Sequence, residues 1–208
     1  MEQPHCTYSA RALGLEWIRG RALQGASHCN ERYGTPGGHV KTLQLILTPM
    51  SRPDAEAVSQ WRYPELYALY SLDASDSEWL LTPDYNYHSV RTAEGQLAGY
   101  FCFGPDAQVP AGHELGLYES PDALDVGLGM RPDLTGQGLG RTFLEAGLEY
   151  ASEKYKPARF RLTVATFNRR AVRLYESAGF RPVAFFQSPR SNGALQFLLL
   201  ERSASPPL

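Results

Sequence analysis

Val126-Gly-Leu-Gly-Met-Arg-Pro-Asp-Leu-Thr-Gly-Gln-Gly-Leu-Gly-Arg141 is the stretch on which the reading of this chain turns. Its first part is apolar, and a strand is expected over 123–130. Pro132 forces a turn, and a glycine-rich loop then opens into a helix expected over 138–154. Gly136, Gly138 and Gly140 let main-chain N–H groups approach a ligand with no Cβ in the way. The start of a helix adds unsatisfied donors and partial positive charge. Strand, glycine loop and helix in this order make a site for a diphosphate.

Two common nucleotide loops do not fit. A Walker loop closes on Gly-Lys-Ser/Thr, whereas here Gly140-Arg141-Thr142 follows without the earlier glycine spacing. A dinucleotide fingerprint needs G-x-G-x-x-G, and its third glycine falls on Arg141 counted from Gly136 or on Phe143 counted from Gly138. What remains, x-x-x-G-x-G, resembles the acetyl-CoA loop of the GNAT superfamily of N-acetyltransferases, usually Arg/Gln-x-x-G-x-G/A, with Thr135 in its first position. A second segment, Asn168-Arg-Arg-Ala-Val-Arg-Leu-Tyr-Glu-Ser-Ala-Gly-Phe180, is similar to the other GNAT signature, Asn-x(6)-Tyr-x(3)-Gly-Phe. Ala171, Leu174, Tyr175 and Ala178 recur at helical spacing, Asn168 suits the N-cap, and Gly179 closes the helix. Tyr175 lies about two turns beyond Asn168 on the same side. Taken singly, Asn168 reads as a cap and Tyr175 as a core aromatic. The two signatures stand in order, joined by the alternating strand 159–165, and the resemblance covers 43–200.

The resemblance implies an α/β (mixed α+β) fold. Its sheet would be mixed and mostly antiparallel, of about six to seven strands with a splayed parallel centre, flanked by about four helices. The strands at 123–130 and 159–165 would part to admit the pantetheine arm of acetyl-CoA, the co-substrate. The main chain of Leu128, Gly129 and Met130 would hydrogen-bond that arm, with the Met130 N–H placed to polarise the thioester carbonyl. Gly136, Gln137, Gly138, Leu139, Gly140 and Arg141 would cradle the diphosphate, Asn168 would contact the cofactor, and Tyr175 would protonate the leaving thiolate. Packing or a bulge is the other reading of Gly127 and Gly129. The implied activity is transfer of an acetyl group to a primary amine of a small molecule or peptide, by direct attack in a ternary complex. The alternative is a GNAT-fold sensor or interaction module that binds acyl-CoA without turnover.

A lysine-like amine has a pKa near 10.4 and must lose a proton before it attacks. Family members acting on protein N-termini often carry Glu five residues before the Asn, where this chain has Thr163. Asp125 stands on the right strand, with Glu114 and Glu78 as lesser candidates for the base. The stretch Trp61-Arg-Tyr-Pro-Glu-Leu-Tyr67, with Tyr70, Trp79, Tyr85 and Tyr87, concentrates aromatic surface ahead of the cofactor motifs. They read either as a cation–π box for an alkylammonium or as packing of the first helices on the sheet.

A net charge of -2 gives no basic footprint for nucleic acid. No run approaches the roughly 18 apolar residues of a membrane helix, and the first residues lack the apolar core of a secretory signal. Cys6, Cys29 and Cys102 cannot all pair, which fits a reducing cytoplasm. The pairs His5-Cys6 and His28-Cys29 lack zinc spacing, and His113-Glu114 lacks a second histidine, so no metal is expected. A homodimer stays open.

Further strands are expected at 43–47, 87–92, 96–103, 181–187 and 195–200, with Ala93-Glu-Gly95 as a hairpin. Helices are expected at 53–61, 64–70 and 168–178. One domain is expected over 41–202, with a short tail over 203–208. Residues 1–40 show no sustained period apart from a short helix suggested over 11–21. They stand as an arm, poorly ordered or translated from upstream sequence.

Overall fold

The structure is a computed structural model that describes residues 44–191 and 193–204. The expected arm over 1–40 and its short helix lie outside the described residues, as do tail residues 205–208. Seven strands form one sheet in the order β1-β2-β3-β4-β5-β7-β6. They are β1 (Leu45–Pro49), β2 (Tyr87–Thr92), β3 (Leu97–Phe103), β4 (Ala123–Met130), β5 (Arg159–Ala165), β6 (Arg181–Arg190) and β7 (Gly193–Ser203). Every pairing is antiparallel except β4 with β5. The last two strands run past the ends expected from their apolar cores, because each continues the other's ladder as far as Arg190 opposite Gly193.

The parallel pair needs a crossover, and the helix after the glycine loop provides it. Five α-helices occur among the described residues: α1 (Arg52–Ser59), α2 (Ser77–Leu80), α3 (Pro110–His113), α4 (Gly140–Tyr155) and α5 (Arg169–Ser177). Single-turn helices α2 and α3 are too short to leave a periodic signal, which is why about four helices were expected. The helix expected over 64–70 is a 3₁₀ turn, Glu65–Tyr70, entered through Pro64. The first helix ends at Ser59, short of Trp61.

α4 buries Phe143, Leu144, Leu148 and Ala151. These meet Phe101, Phe160, Leu162 and Leu200 of the sheet and Phe180 after α5 in one core. Fully burying one such side chain stabilises by about 1.5–3 kcal/mol, so α4 is held by its apolar face. Phe143 stacks on Phe101 with ring centroids 5.0 Å apart. That contact fixes the first turn of α4, and with it the glycine loop, over the middle of β3 and β4.

Parallel pairing of β4 with β5 is confined to Ala123–Asp125 against Arg159–Arg161. Beyond Asp125 the strands separate, as expected for a splayed centre. The paired end is locked by a buried ion pair: Arg161 Nε and Nη2 donate to the two Asp125 carboxylate oxygens at 2.6 and 2.7 Å. Gln108 Nε2 adds a third donor at 2.6 Å, and Arg161 also donates to the carbonyls of Leu117 and Tyr118.

Candidate active site

Where β4 leaves β5, its main chain loses a partner on one side. The bonds Gly104 N–H to Asp125 O and Arg131 N–H to Ala98 O, each 2.9 Å, set the phase of the β3–β4 ladder. With Phe103 opposite Val126 and Gly99 opposite Met130, antiparallel alternation turns the N–H and C=O of Val126, Leu128 and Met130 away from β3. They face the gap. The Met130 carbonyl is taken by the Tyr63 hydroxyl, which donates to it at 2.8 Å. Its N–H points the same way, with no β5 residue opposite it.

A cleft of about 460 Å³ opens at this gap, walled by Leu128, Gly129, Met130, the glycine loop, Thr163, Asn168 and Tyr175. The loop meets the requirement of its glycines. Gly136 and Gly138 have φ of +80° and +79°, a region that side chains with a Cβ avoid. A Cβ at Gly138 would meet nothing within 4 Å, so the loop backs open space. α4 begins at Gly140 with no side chain capping it, and its first N–H groups are left over. Gly127 and Gly129 are explained by packing. A Cβ at Gly129 would lie 2.4 Å from the Tyr100 ring, and one at Gly127 would lie 2.4 Å from Cys102 Sγ.

Of the residues expected at the site, Leu128, Gly129, Met130, Gly136, Gly138, Gly140, Arg141, Asn168 and Tyr175 line the cleft together. Gln137 and Leu139 belong to the loop but not to the wall, and the Gln137 amide donates to Asp133 O at 2.7 Å. The Arg141 guanidinium turns away to Ser177 O at 2.7 Å and to Glu145 at 3.1 Å. Arg170 is the cation at the mouth of the loop, with its guanidinium 4.9 Å from the Tyr67 ring centre.

Asn168 caps α5 as its spacing suggested: Oδ1 accepts from Ala171 N–H at 3.2 Å. Its amide also donates to the Tyr70 hydroxyl at 3.4 Å. Tyr175, one face along the same helix, is 7% exposed, and among the described residues nothing hydrogen-bonds its hydroxyl. Burial, with the Tyr70 phenol beside it, pushes Tyr175 well above the ordinary range of a phenol. Burial likewise raises Tyr63, Tyr70 and Tyr100, also on the wall. These phenols stay neutral and protonated through the physiological range.

The candidates for a base fare differently. Asp125 is 4% exposed and spent on Arg161, off the wall. Glu78 is paired on the surface with Arg52, and Glu114 is exposed beyond α3. No carboxylate or imidazole lines the cleft among the described residues. Thr163 does line it, with Oγ1 2.9 Å from the Tyr118 hydroxyl. Tyr63, from the aromatic stretch 61–67, also reaches the wall, while Tyr100 and Arg170 escaped sequence reasoning. A usable signal for Tyr100 was the glycine that the register sets opposite it, Gly129.

Residues 53–180, more than half of the chain, match the model of the acetyltransferase (GNAT) family. The chain belongs to that family. It is an acyl-CoA-dependent N-acetyltransferase by descent, and its sheet is the GNAT sheet. Solved structures agree on the fold. The spermidine/spermine N-acetyltransferase SpeG of Vibrio cholerae, in complex with manganese ions, superposes with a TM-score of 0.55 at 19% identity, over 77% of this chain and 93% of that one. A putative phosphinothricin N-acetyltransferase gives 0.56 at 17% identity, over 78% of this chain and all of that one. The protein yncA of Salmonella typhimurium, a putative acetyltransferase solved with acetyl-CoA, gives 0.55 at 17% identity, over 77% and 94%. No curated protein matches the chain by sequence. No helix among the described residues is long and apolar enough to cross a membrane.

Proposed function

We propose that this acetyltransferase moves the acetyl group of acetyl-CoA to a primary amine of a small molecule or peptide, both substrates being bound at once. The observation that carries the reading is the separation of β4 from β5 after Asp125. It leaves the main-chain groups of Leu128 and the N–H of Met130 without a β5 partner, beside a glycine loop that faces open space. Such a cradle suits a long, thin ligand with a diphosphate at one end, and the yncA structure with acetyl-CoA is similar in fold. The main chain from Gly136 to Arg141 would hold the diphosphate, with the Arg170 cation nearby. Leu128 and Gly129 would align the arm, and Asn168 would border it.

Acetyl-CoA supplies a thioester whose acyl carbon is open to attack by nitrogen, the sulfur leaving as thiolate. The Met130 N–H is the main-chain donor at the open end of β4, suited to the acyl oxygen. Tyr175, whose phenol is raised by burial, keeps its proton on Oη and gives it to the departing sulfur. The amine loses its own proton to water, since no carboxylate or imidazole stands on the wall. This arrangement favours acceptors that arrive neutral in useful amounts.

The test is calorimetric titration with acetyl-CoA, followed by release of free CoA thiol with a panel of amines. Binding followed by amine-dependent thiol release is the expected result. Binding without release, across peptides, diamines, amino acids and aminoglycosides, would make the chain an acyl-CoA-binding module.

A further inference from the structure

Beyond the cleft, a smaller cavity of about 110 Å³ shares two of its walls, Tyr70 and Tyr100. Its other walls include Leu72, Asp76, Trp79 and Tyr87. Four of its seven lining residues are aromatic. Tyr87 and Tyr100 have ring centres 5.9 Å apart, and Trp79 and Tyr87 are both anchored through their polar hydrogens to Asp106, which is off the wall. Asp76, 9% exposed, is the carboxylate on the wall. One of its oxygens accepts the Asp73 N–H at 2.8 Å. Among the described residues no lysine, arginine or histidine pairs with it, and nothing donates to its other oxygen.

A buried carboxylate without a counter-cation is costly. Aromatic faces around it add attraction for a cation rather than for an anion or a neutral group. We infer that this cavity takes a cationic nitrogen of the acceptor, distal to the nitrogen that is acetylated, so that the acceptor is a molecule with at least two amino groups. The inference rests on the acetyl transfer proposed above and adds the acceptor's class and the residue that selects it. Tyr70 and Tyr100 belong to both spaces, so an acceptor can lie across them with its reacting end toward Met130. Asp76 is then a specificity residue, not a catalytic one. The capping of the turn at Ala74–Asp76 is its structural duty, and Asn can keep it, because an amide oxygen accepts the same N–H.

The experiment uses the full chain and α,ω-diaminoalkanes of three to six carbons, each against the monoamine of equal length, titrated calorimetrically and then assayed for CoA release. At least one diamine is expected to bind about tenfold or more tighter than its monoamine, with the same ratio in kcat/KM. Asp76→Asn is expected to abolish that ratio, and so is Leu72→Lys, which places an ammonium in the cavity. Thermal melts of both variants establish that they fold. Equal affinity for diamines and monoamines overturns the inference, and so does a ratio that survives Asp76→Asn. Failure of acetyl-CoA to bind removes the transfer reaction and the acceptor role with it, while the diamine titration still scores the cavity by itself.

Discussion

The two halves of β4 are built from one run of eight residues and do opposite things. From Ala123 to Asp125 the strand has a neighbour on each side, and its charged residue is buried against Arg161 with every carboxylate oxygen used. From Val126 to Met130 the same strand keeps β3 but has no β5, and alternate main-chain groups point into a cleft. Polar groups satisfied inside the protein hold the fold together, and polar groups left over are what a ligand can use. The lock at the closed end determines where the open end begins.

Removing the lock gives the largest expected effect. Asp125→Ala leaves the Arg161 guanidinium buried without its partner, a change that typically costs about 3–5 kcal/mol. Chemical denaturation should show a loss of that size, and acetyl-CoA affinity should fall with it as the strands drift. If stability is unchanged, the closed end is not held by this pair, and the contrast between the halves loses its cause.

At the open end, Tyr175→Phe removes one hydroxyl and no apolar surface. Stability and acetyl-CoA affinity should be nearly unchanged, while kcat falls roughly 10²–10⁴-fold, the usual contribution of general acid catalysis. Steady-state kinetics with any accepted amine decide it. Normal turnover would make Tyr175 a core aromatic and pass the proton transfer to water.

Much of this contrast was legible in the sequence, and what was hidden was hidden for physical reasons. The glycine loop and the Asn168–Tyr175 spacing are local, so their signal survives in a single chain. The splayed centre followed from the resemblance they carried. The fate of Asp125 was not legible, because its partner lies 36 residues away and only the parallel register joins them. Tyr100 reaches the cleft from β3, where no periodicity marks a site residue, and the aromatic stretch 61–67 did not reveal that its Tyr63 holds the Met130 carbonyl. The same holds for Asp76, whose visible duty is to cap a turn.

Gly138→Val sharpens the comparison from the loop side. Valine at φ +79° is strained, and its branched side chain enters the space where the loop backs the cleft. Calorimetry should show acetyl-CoA binding weakened at least tenfold, about 1.4 kcal/mol, in a protein that still melts cooperatively. Unchanged affinity would move the diphosphate elsewhere.

The smallest effect concerns pH, and its sign follows from the open end alone. The attacking amine must be neutral, so kcat/KM should rise with pH toward the amine's own pKa, near 10.4 if it is lysine-like. A general acid with an ordinary phenol pKa of about 10 would begin to switch off in the same range. Tyr175 is raised above that value by burial, so its proton stays in place while the amine loses its own. The profile measured from pH 7 to 10 should therefore climb throughout, without a falling limb. A falling limb centred below about pH 9.5, present in the wild type and absent from Tyr175→Phe, would mean that Tyr175 titrates as a depressed phenol. Its hydroxyl would then sit in a more cationic place than the wall between Asn168 and Tyr70 provides.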